Sequence, residues 1–301
     1  MKLIYERKNL TKSIPLMALM AAINIIVAEL AGLSPIVSLF LILVLPLTSA
    51  IVELCCKDRY FPIYAVATFG LSLALTFWNL ETTIFYVLPS IVTGYIFGLL
   101  AKHKIPVVWS IIAATLAQTA MSYALIPLVN FIFQVDIILT FKTALGLKDM
   151  VNVDIIVPSF IFAISLIQVS LSQLIVSQEL QKFGIKEIDK TFSEFVAAGI
   201  GLSISLLIIP FYFISLEFAY LFLMIALYFG IYKVVMFIYE KKYYWLIPVS
   251  VSIAINIVLV ALLNQYMKET SSFLLIGFTS ACICLISIVF SYLNKKKETI
   301  Q

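Results

Sequence analysis

The side chains able to do chemistry inside the apolar segments of this chain are few, and most are neutral amides and hydroxyls. One stripe starts at Thr115 and another at Ser165, each with polar residues at i, i+3 and i+7. Residues at this spacing lie along one side of a helix. The stripes can therefore face each other, either as a hydrogen-bonded seam or as the floor of a cavity for a neutral ligand. Their members are Thr115, Gln118, Ser122, Ser165, Gln168 and Ser172.

Two ionisable residues also fall inside apolar segments. Glu29 follows Asn24 in the first segment, about one turn from its predicted outer end, where the carboxylate either binds a ligand or cation or simply reaches water. Lys233 lies about two turns from a predicted cytoplasmic end, near enough for its side chain to extend to the surface. We predict a ligand site lined by Asn24, Glu29, Gln118, Ser122, Gln168 and Ser172.

Several kinds of catalytic site are excluded by what the sequence lacks. His103 is the only histidine and lies between two lysines, so no zinc site or Ser-His-Asp triad can be built on it. The chain has no Gly-x-x-x-x-Gly-Lys-Ser/Thr phosphate loop. The four cysteines have no metal or redox spacing. The sequence therefore predicts a protein that is not an enzyme and holds no cofactor or metal.

The composition indicates the elements that must position these side chains. Of the 301 residues, 63% are hydrophobic and only 12% are charged, and the mean hydropathy is +1.10. Soluble domains use about 25% charged residues. A membrane span needs about 20 apolar residues, so the chain has room for about ten spans. The predicted fold class is an all-α polytopic membrane protein.

Apolar runs broken by charges or turn residues predict ten transmembrane helices. With the N-terminus inside, 16 of the 20 Lys and Arg residues fall in inner segments and three in outer loops, while Lys233 lies within the eighth span. Cytoplasmic loops retain positive charge, so we predict a cell-membrane protein with both termini cytoplasmic. This topology explains the net charge of +4 without a nucleic-acid partner. The predicted spans are 13–33, 36–55, 62–80, 84–101, 106–134, 155–178, 195–216, 218–239, 244–264 and 272–293.

Two polar segments divide the predicted spans. The longest inner loop predicts a six-helix membrane domain over 1–183, a cytoplasmic linker over 184–194 and a four-helix extension over 195–301. The longest outer segment, about 135–154, is partly amphipathic and is able to act as a lid over a site that opens outward.

The opening stretch 12–24, KSIPLMALMAAIN, resembles the first helix of the substrate-binding S components of energy-coupling factor transporters. The segment 86–102, with its small-residue spacing before a basic loop, looks like their fourth helix. The resemblance covers about the first 180 residues and implies six helices with both ends inside. It also implies that Ala18 and Ala22 match the Ala-x-x-x-Ala pattern that contacts a transmembrane coupling subunit, which itself works with ATPases. The four added helices make the chain look more like an uncharacterised bacterial multispanning family distantly similar to S components.

The leading hypothesis from the sequence is a substrate-binding membrane subunit that takes a small molecule from the outer side and is energised by partner proteins. The alternative is a non-transporting scaffold or subunit of a cell-envelope assembly, in which the polar stripes only hold helices together. A secondary transporter is a third reading. It requires a buried ionisable network, for which Glu29 and Lys233 near opposite membrane faces are thin support.

Overall fold

The structure is a computed structural model that describes residues 9–33, 35–75, 80, 83–134, 136–144, 153–182, 194–239, 243–263 and 273–298. Every regular element in these residues is helical. The α-helices are α1 (Leu10–Leu33), α2 (Pro35–Cys55), α3 (Phe61–Leu75), α4 (Leu88–Lys102), α5 (Val107–Phe133), α6 (Ile137–Ala144), α7 (Val153–Lys182), α8 (Glu194–Ile214), α9 (Leu216–Tyr239), α10 (Leu246–Leu263) and α11 (Ile276–Glu298). Short 3-10 turns precede α3, α10 and α11, and a π-helical turn, Thr83–Val87, precedes α4.

Six helical stretches are long and apolar enough to cross a membrane: Leu10–Ala31, Thr83–Lys102, Val107–Phe133, Val157–Glu179, Phe195–Ile214 and Leu216–Ile238. Shorter apolar helical stretches are Leu43–Cys55, Tyr243–Leu259 and Ile276–Phe290. The all-helical, multi-pass character predicted from the composition is confirmed. The number ten stays a prediction.

The chain forms two compact units. Unit 1 comprises Met1–Val153 and Phe160–Lys190, and unit 2 comprises Asp154–Ser159 and Thr191–Gln301. Residues Asp154–Ser159 of α7 thus belong with unit 2. The predicted linker 184–194 lies outside the described residues, except for Glu194, which begins α8.

Helix α2 is central in unit 1, because α1 and α4 both pack along it, while α3 packs on α1. The α2–α4 contact is very close. A Cβ atom added at Gly94 would lie 2.2 Å from the carbonyl oxygen of Pro46, and one added at Gly98 would lie 2.6 Å from Cβ of Glu53. Only glycine fits at these distances, so the Gly-x-x-x-Gly spacing of α4 sets how near the two backbones come.

Local capping explains the break between α5 and α6. Helix α5 ends at Gln134, whose φ of 54° is left-handed. The carboxylate of Asp136 then accepts a hydrogen bond from the backbone N–H of Leu139 at 2.9 Å, as an N-capping residue does. Of the predicted lid 135–154, residue 135 and residues 145–152 lie outside the described part.

Unit 2 is built on α8, α9 and α11, which pack against one another, while α10 packs on α11. Glycine again makes room, since a Cβ atom at Gly201 would lie 2.7 Å from the Cys284 sulfur. Aromatic rings fill another part of this core. The Phe290 ring meets those of Phe237 and Trp245 edge-to-face, with centroid distances of 5.7 and 5.1 Å, a favourable arrangement for aromatic pairs.

Candidate functional site

Asn24 is fully buried on α1 and bonds to α2. Its Nδ2 donates to Oγ1 of Thr48 at 2.8 Å and to the carbonyl oxygen of Leu45 at 3.4 Å. The hydroxyl of Tyr64 on α3 donates to the same Thr48 oxygen at 3.2 Å. Thr48 therefore joins three helices. The amide nitrogen of Asn24 is bound within the protein, whereas its Oδ1 is buried without a hydrogen-bond partner among the described residues.

Gln118 and Gln168 lie together, as the spacing of the two stripes predicts. Nε2 of Gln118 donates to Oε1 of Gln168 at 2.7 Å, and Oε1 of Gln118 accepts a hydrogen bond from the hydroxyl of Thr93 at 3.2 Å. Gln118 is buried. The three side chains tie α4, α5 and α7 into one neutral polar network.

Apolar packing lies close to this network. Ala114, one turn before Gln118 on α5, belongs to the same core cluster as Val169 and Val176, which follow Gln168 on α7.

Two hydroxyls, each one turn from a glutamine of this pair, are buried without a hydrogen-bond partner among the described residues. Thr115 precedes Gln118 by one turn, and Ser172 follows Gln168 by one turn. Neither hydroxyl makes a hydrogen bond within the described part of the chain, and neither does Oε1 of Gln173. Buried polar groups in proteins are nearly always hydrogen-bonded, so this region has spare capacity to bind water or a small neutral molecule.

The remaining predicted ligand residues are less enclosed. Ser122 on α5 and Glu29 on α1 are both half-buried. The predicted set thus falls into separate groups: Gln118 and Gln168 meet each other on α5 and α7, whereas Asn24 bonds to α2.

Ala18 and Ala22 are exposed and line a groove of about 480 Å³ on the surface of α1 and α3. The groove has no charged lining residue. The neighbouring Ala21 is buried. Both alanines of the Ala-x-x-x-Ala pattern therefore face outward, beside this open apolar groove.

One charged cluster was missed by the sequence reasoning. The ammonium of Lys102 on α4 donates to the backbone carbonyls of Glu53 and Cys56, at 3.4 and 3.1 Å, and to the carboxylate of Asp58. This hydrogen bond holds the pKa of Asp58 below its usual range. The sequence offered two signals: Lys102 lies four residues after the second glycine of the Gly-x-x-x-Gly pattern, and the carboxylates Glu53 and Asp58 flank the end of α2. Only the fold shows that these two helix ends meet.

Lys233 of unit 2 does not extend to the surface, so that expectation was wrong. The residue is 1% exposed, and its ammonium lies 5.7 Å from the centre of the Tyr232 ring. The packing of α9 against α8 and α11 encloses this face of the helix, which a helix considered alone cannot show.

The chain matches no protein-family model, no curated protein and no solved structure.

Proposed function

We propose that this chain is a cell-membrane protein of ten transmembrane helices, both termini cytoplasmic, that serves as the substrate-binding subunit of a transport system energised by partner proteins. It takes a small neutral molecule from the outer side and needs no cofactor of its own. The observation that carries the proposal is the exposed alanine pair beside the α1–α3 groove.

The groove suits an apolar transmembrane helix of a coupling subunit. Small residues let a partner backbone approach closely, and close packing is a main source of helix association in a bilayer. The side chains of Ala18 and Ala22 are small, and they border an open apolar groove of about 480 Å³. A charged or polar partner segment finds no charge there to pair with.

Filling the groove tests the partner. The double variant Ala18→Leu/Ala22→Leu should fold normally, because both side chains point outward, yet lose most of the coupling subunit and ATPase that co-purify with the wild type. Ala124→Leu, at an exposed alanine of α5, is the matched control and should retain them. Undiminished co-purification in the double variant would argue against docking at this groove.

The ligand is proposed to bind beside the glutamine pair. Gln118 and Gln168 bring amides to the same region as the unpaired hydroxyls of Thr115 and Ser172. Native mass spectrometry of the purified protein should detect a bound small molecule, and Gln118→Ala/Gln168→Ala should release it. A ligand held equally well by the double variant would rule out this site.

A scaffold without a transported substrate is the second candidate. It is favoured by the mutual bonding of Thr93, Gln118 and Gln168, since side chains that satisfy one another need no ligand. Co-purification separates the two functions. An ATPase and a coupling subunit indicate transport, whereas cell-envelope or division proteins, without bound ligand, indicate a scaffold.

A further inference from the structure

The close approach at Gly98 has a chemical consequence for Glu53. Because α4 has no side chain at this point, its backbone lies against Cβ and Cγ of Glu53, where an added Cβ atom would stand 2.6 and 2.9 Å away. The Glu53 side chain has no exposed surface. A carboxyl group near the end of α2 is thus shut away from water by the glycine of the neighbouring helix.

The ammonium of Lys102 does not satisfy this carboxyl group. Lys102 places its hydrogen bonds on Asp58 and on two backbone carbonyls. Its Nζ stays 3.9 Å from Oε1 of Glu53. As an ionised carboxylate, Glu53 accepts no hydrogen bond from any described donor. An enclosed carboxylate without hydrogen bonds is strongly unfavourable, since its desolvation costs several kcal/mol.

A proton removes this difficulty. The carboxyl groups of Glu53 and Asp58 both face the Lys102 ammonium, which lies 3.9 Å from Oε1 of Glu53 and donates to the Asp58 carboxylate. The two carboxyl groups also interact with each other, so a neutral Glu53 can donate to the Asp58 carboxylate. The charges then balance, with one ammonium facing one carboxylate. The titratable groups that interact with Glu53 are Asp58 in the turn after α2, and Lys102 and Tyr95 on α4.

We propose that Glu53, Asp58 and Lys102 form a proton-binding site at the predicted cytoplasmic end of the α2–α4 contact. The two carboxyl groups hold one proton between them at neutral pH, and Lys102 balances the remaining negative charge. When the proton leaves at alkaline pH, two carboxylates face a single ammonium. The repulsion loosens the end of the α2–α4 contact, which makes this contact sensitive to pH. The site does not depend on the proposed transport function.

Infrared spectroscopy of the full chain in lipid nanodiscs tests the proton directly. The wild type at neutral pH should show the C=O stretch of a protonated carboxylic acid, and Glu53→Gln should abolish that band. Glu217→Gln, at an exposed carboxyl of α9, should leave it in place. A neutral-pH spectrum with no such band, or a band that survives Glu53→Gln, would overturn the proposal.

A second measurement does not depend on the Glu53 variant folding. Asp58→Asn removes the charge that favours a proton on Glu53, so the band of this surface variant should disappear at a lower pH than in the wild type. A band that titrates identically in the two proteins would refute the shared proton. The thermal midpoint of the wild type should also fall as the pH rises toward the value at which the band is lost and level off above that value, because the unfolded chain has already released this proton. A midpoint that stays constant up to the loss of the band would show that the proton has no part in holding α2 to α4.

Discussion

Units 1 and 2 hold their helices together through different kinds of contact. In unit 1, buried side chains bond to one another across helices, as in the network of Thr93, Gln118 and Gln168. In unit 2, Ser280 and Asn256 donate to backbone carbonyls of Ala226 and Leu275, and rings pack on rings. Both units bring helices together at glycines.

The difference shows where specific chemistry can reside. A network of side chains has members that can exchange a partner for a ligand or a proton. Bonds to helix carbonyls and ring contacts fix helix positions and offer less to a ligand. Unit 1 therefore carries the candidate sites, while the buried polar residues in the described part of unit 2 include Lys233, Asn256 and Ser280.

The largest expected effect comes from the glycines. Gly94→Ala places a methyl group against the Pro46 carbonyl, so α4 must move away from α2; overpacking of this kind costs about 1–3 kcal/mol. Gly201→Ala in unit 2 meets side chains, at Cys284 and Phe229, and should cost less. Denaturation in mixed detergent micelles measures both.

Gly199→Ala is the matched control, because an added Cβ atom there meets nothing within 4 Å. Alanine is the better helix former by up to about 1 kcal/mol, so this variant should be neutral or slightly stabilised. If Gly94→Ala and Gly199→Ala unfold at the same denaturant concentration, the close α2–α4 contact is wrong.

The next effect is the coupling between the two glutamines. Gln118→Leu and Gln168→Leu each leave a buried partner unpaired, at a cost of about 1–3 kcal/mol, but the double variant should cost less than the sum. Coupling energies for such pairs in membranes average about 0.6 kcal/mol and reach about 1.7. Gln118→Leu with Asn256→Leu, one from each unit, should be additive. Additivity in the first pair as well would contradict the network.

A smaller effect compares one hydroxyl from each unit. Thr48→Val removes the acceptor that Asn24 and Tyr64 share. Asn24 keeps its longer, 3.4 Å bond to the Leu45 carbonyl and Tyr64 its 3.4 Å contact with Ser49, so the substitution should cost about 1 kcal/mol. Ser280→Ala leaves only the carbonyl of Ala226, which still has its helical position to accept the N–H of Gly230. Thermal unfolding should rank Thr48→Val below Ser280→Ala, and the reverse order would refute the greater role assigned to hydroxyls in unit 1.

The smallest effect is electrostatic. The pKa of Asp58 is lowered in the folded protein, chiefly by the hydrogen bond from Lys102. A lowered pKa stabilises the fold at pH values above the unfolded pKa, and this stability disappears as the pH falls through the folded pKa. In a Glu53→Gln background, Asp58→Asn should therefore lower the thermal midpoint slightly at neutral pH and not in acid. Because the Asp58 side chain is half exposed, the difference should be small and should shrink in high salt. A difference that persists in acid would exclude this origin.

The sequence predicted features that depend on one helix at a time. Apolar runs predicted where helices lie, and the i, i+3, i+7 spacing predicted a polar stripe along each of two helices, which allows Gln118 and Gln168 to meet. The small-residue spacing at Gly94 and Gly98 indicated a close contact but not its partner helix.

What could not be predicted depends on which helices become neighbours. Glu53 lies near the end of an apolar run, a position that favours contact with water. In the fold it is enclosed because Gly98, 45 residues away in sequence, allows α4 to lie against it. The sequence likewise predicts that the Lys233 side chain extends to the surface, but in the fold this residue is buried where α9 packs against α8 and α11. Nothing in the sequence around Asn24 indicated that its side chain bonds to Thr48 on α2.

The order of synthesis gives the Gln118 network a role in membrane insertion. Thr93 leaves the ribosome 25 residues before Gln118, and Gln168 follows 50 residues after it. At about 5–20 residues per second, α7 emerges roughly 3–10 s after α5. During that interval the amide donor of Gln118 is in the bilayer without its acceptor. The insertion of α7 therefore completes the hydrogen bonds of the Gln118 network. A chain arrested before residue 168 would present an unpaired amide to the insertion machinery.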